Sequence, residues 1–319
     1  MTPKPALHGM RHVCSRLLLH GEELLYSIWM TIRNVSANAL ITSPEGPVVC
    51  LTTYGARITM VHLAIESIAR GSMLPSRLIL WIDDASAMQH LPPGLRRLQK
   101  RGLEVRLCRN YGSHKKYYPY LESLQDIDVP LVTADDDLLY PRSWLKRLYE
   151  AYLRYPNVVN CHRARVIQLK EGRLIKYEQW DLANSSQASL LHVAGSGAGA
   201  IYPIPLQLAL KRQGTGFLHC CPKADDIWLH VQALRAGYRV RQIDTQLFRI
   251  REIPGTQVTA LCHDNVTCGG NDRQIALTYT AMDIRIMSRA AVLPSQAPTT
   301  VEDECVQVAT PQVVTDLMP

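Results

Sequence analysis

Short continuous apolar runs alternate with amphipathic stretches through the middle of this chain. Val48-Val49-Cys50-Leu51-Thr52-Thr53, Arg77-Leu78-Ile79-Leu80-Trp81-Ile82 and Leu103-Glu104-Val105-Arg106-Leu107 are strand-length, as is Pro130-Leu131-Val132-Thr133. Runs this apolar fit strands buried on both faces. Helical spacing predicts helices over Thr59–Arg70, Pro92–Arg101 and Arg142–Tyr155, the first two closed by Gly71 and Gly102. Val158–His162 returns as a strand, a helix opens near Lys223 and ends at Gly237, and Tyr238–Ile243 follows as a strand. Strand and helix in alternation predict an α/β fold, a doubly wound, mostly parallel sheet flanked by helices.

The ends read differently. Residues 1–45 form an N-terminal extension in which Cys14–Ile32 has the spacing of an amphipathic helix, one that packs on the domain or rests on a bilayer. The apolar run Leu17-Leu18-Leu19 is broken by His20, Glu22 and Glu23, which excludes a signal peptide or a membrane span there. The expected domain covers 46–289. Residues 290–319, rich in Pro, Thr, Gln and Val without periodicity, are expected to be a poorly ordered tail.

Composition narrows the picture. With 319 residues, 47% apolar and 20% charged, the chain suits one soluble α/β domain with extensions. A net charge of +7 fits an anionic substrate or membrane surface, while no nucleic-acid motif or base-stacking pattern is present. Nine scattered cysteines without a C-x-x-C point to a reducing, cytoplasmic setting. The spacing of Cys262, His263 and Cys268 is wrong for zinc.

The candidate chemistry starts where the fourth strand runs into Asp135-Asp136-Asp137. Three adjacent carboxylates repel one another and do little for a strand, but they suit a hard divalent cation, Mn²⁺ or Mg²⁺, shared with phosphate oxygens. A strand end places them on the carboxyl edge of the sheet, where open α/β folds bind ligands. A second acidic pair, Asp225-Asp226, opens the helix after Lys223 and is equally suited to helix capping. Lys115-Lys116 form an adjacent cationic pair that suits a diphosphate, or a solvated basic turn. The Gly-rich stretch 195–203 lacks a dinucleotide or P-loop fingerprint and is expected to bring backbone close to a ligand.

Taken together, Leu51–Ile58, Leu80-Trp81-Ile82-Asp83, Tyr111–Tyr118, Thr133–Asp137, Ala224–Trp228 and, more weakly, Gly269–Gln274 resemble the bacterial GT-A-fold glycosyltransferases that build surface polysaccharides and glycolipids. The resemblance covers about residues 46–275. It implies metal-dependent transfer of a sugar from a nucleoside diphosphate sugar, with UDP the preferred nucleotide, to a hydroxyl of a cell-envelope glycan or glycolipid, with inversion. On it, Thr52, Thr53, Tyr54 and Arg57 border the base and ribose, Asp83 meets the nucleoside, and Lys115 and Lys116 contact the nucleotide or its diphosphate. Asp136 belongs to the same nucleotide-sugar set, Asp137 touches the metal, and Asp135 faces the ribose or a metal-bound water. His263 is a further candidate metal ligand, and Asp226, with Asp225 behind it, is the candidate base that deprotonates the acceptor. The expected setting is cytoplasmic, and residues 1–45 leave open whether the protein contacts the inner face of the plasma membrane or the extension only packs. Two departures stand out: Asp83-Asp84 lack the Gly-Ser that commonly follows, and the C-terminal region is not clearly matched.

Three rival readings share the pattern. A sugar nucleotidyltransferase wants a Gly-rich basic loop after the first strand, and Thr53–Arg57 is a poor version of one. A two-metal hydrolase needs His or several separated acids, whereas this chain offers one compact cluster. A degenerate sugar-binding module of the same fold has no need of both acidic groups.

Overall fold

The apolar runs between residues 48 and 242 assemble into one sheet of seven strands: β1 (Val48–Thr52), β2 (Arg77–Ile82), β3 (Leu103–Leu107), β4 (Leu131–Thr133), β5 (Val158–Cys161), β6 (Ala200–Tyr202) and β7 (Arg239–Gln242). This computed structural model describes residues 6–246, 248–256 and 269–292, with side chains from residue 21 onward. Across the sheet the order is β7-β5-β6-β4-β1-β2-β3, and β6 alone runs antiparallel to its neighbours. The α/β fold with a mostly parallel sheet is therefore as the strand–helix alternation predicts.

Both faces of the sheet are covered, which is why its central strands are apolar while the edge strands β3 and β7 carry charged residues. Val49, Leu51, Leu78 and Leu80 face one side, under α2 (Val61–Ala69), α3 (Pro93–Gln99) and α4 (Trp144–Arg154). Val48, Cys50, Ile79 and Trp81 face the other, with α5 (Ile204–Arg212) and α6 (Asp225–Arg235). Period-two alternation sends neighbouring residues to opposite cores.

The topology fixes where chemistry collects. The chain builds outward through β1, β2 and β3, then returns to lay β4 on the other side of β1, pairing Val48 with Leu131 and Cys50 with Thr133. That reversal leaves a crevice beyond the carboxyl ends of β1 and β4. Because β6 is antiparallel, with Ala200 opposite Thr133, the Gly-rich loop that precedes it lies at that same edge. Helix α6 leads into β7, which is parallel to β5, so the first turn of α6 also lies there.

Several elements differ from the sequence pattern. α1 runs from Ala6 to Ser36, longer than the amphipathic stretch that predicts it. From residue 21 it packs on the domain: Met30 shares a core with Leu63, Ala64, Leu139 and Ile253. A buried polar network completes the seam. Asn34 donates to Glu66 at 3.0 Å and to the Gly94 carbonyl at 3.1 Å, and Arg101 pairs with the fully buried Glu66. The irregular stretch 173–189 contains a two-residue strand, Arg173–Leu174, and a 3₁₀ turn, Tyr177–Gln179. Two helices, α7 (Gly270–Thr278) and α8 (Ala281–Val292), occupy a region with no strong periodicity, and α8 crosses the expected boundary at 289. His263, Cys262 and Cys268, and the tail from 293, lie outside the described residues.

Candidate active site

Every strand that ends at the crevice delivers a polar group to it. β1 supplies Thr52, Tyr54 and Arg57, β2 supplies Asp83, and the segment after β3 supplies Lys115 and Lys116. β4 supplies Asp135, Asp136 and Asp137, and the first turn of α6 supplies Asp225 and Asp226. All of them line one cavity of about 430 Å³, together with Tyr177, Lys223 and Asn271. Tyr177 lies in the stretch expected to be irregular, and Lys223 and Asn271 stand in stretches the sequence marks without giving either a site role. Of the expected residues, Thr53 is fully buried behind the wall rather than on it, and His263 lies outside the described residues.

The three acids of β4 do different things. Asp136 is buried, and its two oxygens accept from Thr53 Oγ1 at 2.7 Å and Arg57 Nη1 at 2.8 Å. Arg57 reaches on to Asp137 at 3.2 Å and donates to the Thr256 carbonyl at 2.9 Å. Asp136 thus anchors Arg57, while Asp135 and Asp137 open to the cavity, with side chains 30% and 14% exposed. Burial, reinforced by the charges of Asp135 and Asp136, pushes the Asp137 carboxyl up to about 6. Lys115, itself buried, pairs with Asp83 at 2.7 Å.

Lys116 joins the two acidic groups. Its ammonium lies 2.7 Å from Asp135, 3.3 Å from Asp225 and 3.1 Å from Ser196 Oγ. Burial works against its charge, but Asp135, Asp225 and Asp226 hold its proton well above the ordinary lysine range. Ser196 completes the link: its hydroxyl donates to Asp225 at 2.6 Å and its backbone N–H to Asp226 at 2.8 Å. Burial would raise Asp225, yet Lys116, His114 and the hydroxyls of Ser196 and Ser113 bring it below the usual carboxylate range. For Asp226, burial and the charge of Asp225 outweigh Lys116 and Ser196 and push it up to about 6. Two adjacent carboxylates are thereby split, one held ionised and one poised to exchange a proton near neutrality.

The Gly-rich loop is built for close approach, but to protein rather than to ligand. A Cβ on Gly197 would overlap the Asp135 carboxylate, and Gly199, at φ +109°, abuts the Trp144 indole. The Tyr140 hydroxyl donates to the Gly197 carbonyl at 2.7 Å and accepts the Asp135 backbone N–H at 2.7 Å. Trp144 donates to the Ala198 carbonyl at 2.8 Å. Behind Lys115, His114 is buried between Tyr117, the Cys221 carbonyl and the face of Phe217, and burial drops it to about 4, so it stays neutral.

Among the described residues no three His, Cys, Asp or Glu side chains form a ready metal cage. The donor set suits a cation that takes only one or two carboxylates and completes its shell with water and ligand oxygens. The charge balance points the same way. Six carboxylates of the cavity wall (Asp83, Asp135–Asp137, Asp225, Asp226) face four cations (Arg57, Lys115, Lys116, Lys223), leaving the wall net acidic. A polyanionic ligand entering such a wall calls for an added cation, and Asp137 with Asp135 are the two open donors for it.

No family model matches the sequence, and none of the curated proteins does. Solved structures similar in fold include Staphylococcus aureus TarS residues 1–349 (TM-score 0.41, 15% identity, covering 62% of this chain). The chain spans 57% of that staphylococcal chain. Also similar are the Pyrobaculum calidifontis mannosyltransferase PcManGT, in complex with GDP-mannose and Mn²⁺ (TM-score 0.44, 14% identity, 93% of this chain and 89% of that one), and the Thermotoga maritima inositol-1-phosphate CTP transferase (TM-score 0.39, 10% identity, 79% and 98%).

Proposed function

We propose that this protein is a metal-dependent glycosyltransferase that moves a sugar from a nucleoside diphosphate sugar, UDP preferred, to a hydroxyl of a cell-envelope glycan or glycolipid, with inversion. The observation that carries the reading is the joining of two unlike acidic groups across one cavity by Lys116 and Ser196. One group is paired with cations and opens to the cavity; the other is a carboxylate pair split into an ionised member and one poised near neutrality.

The residues divide the work. Thr52, Tyr54 and Asp83 line the part of the cavity nearest β1 and β2, where the nucleoside is placed, and Lys115 and Lys116 offer charge to its diphosphate. Mn²⁺ or Mg²⁺ on Asp137 and Asp135 would neutralise charge on the departing diphosphate. Asp226 takes the proton of the acceptor hydroxyl. The acceptor oxygen bonds to the anomeric carbon as the bond to the diphosphate oxygen breaks, and that oxygen leaves with the electron pair. Ser196 fixes one Asp226 oxygen, which aims the carboxylate, and Asp225 stays ionised to hold Lys116. Asp136 acts through Arg57 and is a positioning residue.

The test is thermal stabilisation by UDP, GDP and their sugars, each with Mn²⁺ and with EDTA, followed by product release from the stabilising donor. A metal-dependent shift that Asp137→Ala abolishes is expected. Folded protein that no sugar nucleotide stabilises overturns the reading.

A further inference from the structure

Helix α1 is amphipathic in the reverse of the usual sense. The side it lays on the domain is polar or mixed, with Ser27, Asn34 and Arg33 beside Met30 and Tyr26. The side it turns to solvent is apolar: Leu25 is 69% exposed, Ile32 58% and Val35 63%, with Leu24, Ile28 and Trp29 also exposed. At 100° per residue these six span an arc of about 140°. In the sequence the same spacing continues upstream through Leu7, Met10, Cys14, Leu17 and Leu18, and the helix of 31 residues is about 46 Å long. Such a face is costly in water, and no helix among the described residues is long and apolar enough to cross a membrane.

One flank of this stripe is cationic: Arg70 stacks over Tyr26 and Trp29, and Arg249 and Arg251 reach Glu22 at 3.4 and 3.3 Å and offset its charge. Arg70 carries no acidic partner among the described contacts, and burial, with the charges of Arg142 and Arg251, drops it to about 10. We infer that the outward face of α1 docks the protein on an anionic lipid surface, its apolar stripe in the acyl boundary and its flanking arginines at the headgroups. A second copy of the chain is the less suitable occupant. A coiled-coil seam is narrower than this stripe, and a two-fold contact would bring the arginine flanks of both copies together. The inference stands apart from the glycosyl-transfer reading and does not depend on it.

Trp29 provides a direct readout, because it is 45% exposed while Trp81, Trp144, Trp180 and Trp228 are all buried. The full chain is mixed with vesicles of phosphatidylcholine and with vesicles of equal phosphatidylcholine and phosphatidylglycerol, some carrying brominated acyl chains. Co-sedimentation with the phosphatidylglycerol vesicles and quenching of Trp29 by the bromines are expected, both weakened by high salt. Leu25→Gln with Ile32→Gln, both on the solvent side, should lower partition about tenfold or more. If that variant does not fold, bromine quenching of the native chain decides the matter. Folded native chain that neither sediments nor is quenched, or that binds pure phosphatidylcholine as tightly, overturns the inference. So does a dimer that fails to bind vesicles and is dissociated by the double substitution, which would assign the face to a second copy.

Discussion

The ammonium of Lys116 lies 3.3 Å from the carboxylate of Asp225, a contact between residues in different halves of the chain. Lys116 is at the same time 2.7 Å from Asp135, so one cation holds the walls of the cavity together. Lys116→Met would leave Asp225 buried without its main counter-charge. A loss of about 3–5 kcal/mol is expected in denaturant melts, together with loss of turnover. Lys116→Arg should restore part of the stability but little activity, because a planar fork does not reproduce a point charge shared by three oxygens.

Asp226→Asn separates stability from function. The folded environment raises this carboxyl to about 6 by burial and by the charge of Asp225, so ionising it near neutrality costs stability. The amide should therefore melt higher at pH 7.5, by on the order of 1–3 kcal/mol, while turnover falls by about 10²-fold or more. A variant with unimpaired turnover would remove Asp226 from the role of base.

Acid should act on two sets of groups with opposite signs. Asp226 takes its proton at about 6 when folded and near 3.8 otherwise, so the stability advantage of Asp226→Asn should shrink as pH falls from 7.5 to 5. His114, His162 and His230 are held neutral by burial, at about 4, 3 and 4 against an ordinary 6.5. Their folded state binds fewer protons than the unfolded chain below 6.5, so overall stability should fall as pH drops through 6.5 and onward to those lower values. Turnover should lose its base on an acidic limb near 6. Melts and rate profiles on the same buffers distinguish the three effects.

Gly197→Ala tests the close approach at the cavity floor. The added methyl would overlap the Asp135 carboxylate, so Asp135 must move and Lys116 with it. Weaker donor binding by about tenfold or more is expected, with only a modest change in melting temperature, because the displaced group is half-exposed. Calorimetric titration with the stabilising sugar nucleotide, alongside a melt, checks both parts.

The sequence carried the sheet because its central strands, β1, β2 and β4, are buried on both faces and so stand out as apolar runs. It also carried the positions of Asp83, Lys115, Lys116, Asp135–Asp137 and Asp225-Asp226, all of which line the cavity. The division of labour among the β4 acids was not legible. That Asp136 would turn inward depends on Arg57 and Thr53, which come from the neighbouring strand. Ser196 was invisible for a similar reason: it acts only because antiparallel β6 starts where β4 ends. Nor does periodicity say which face of α1 packs. The Glu66–Arg101–Asn34 network pulls the polar side inward, against the usual expectation.

The Gly195–Gly199 loop has a bearing on how such a protein could diversify. Its backbone and one serine touch the Tyr140 hydroxyl that also binds the Asp135 N–H, the pair on α6 and the indole that seals the sheet. A chimera that exchanged either half of the chain would break these bonds unless the loop and both partners travelled with it. The two halves of the cavity are thus coupled through one loop, and new specificities are expected to arise by substitution around its rim rather than by shuffling segments.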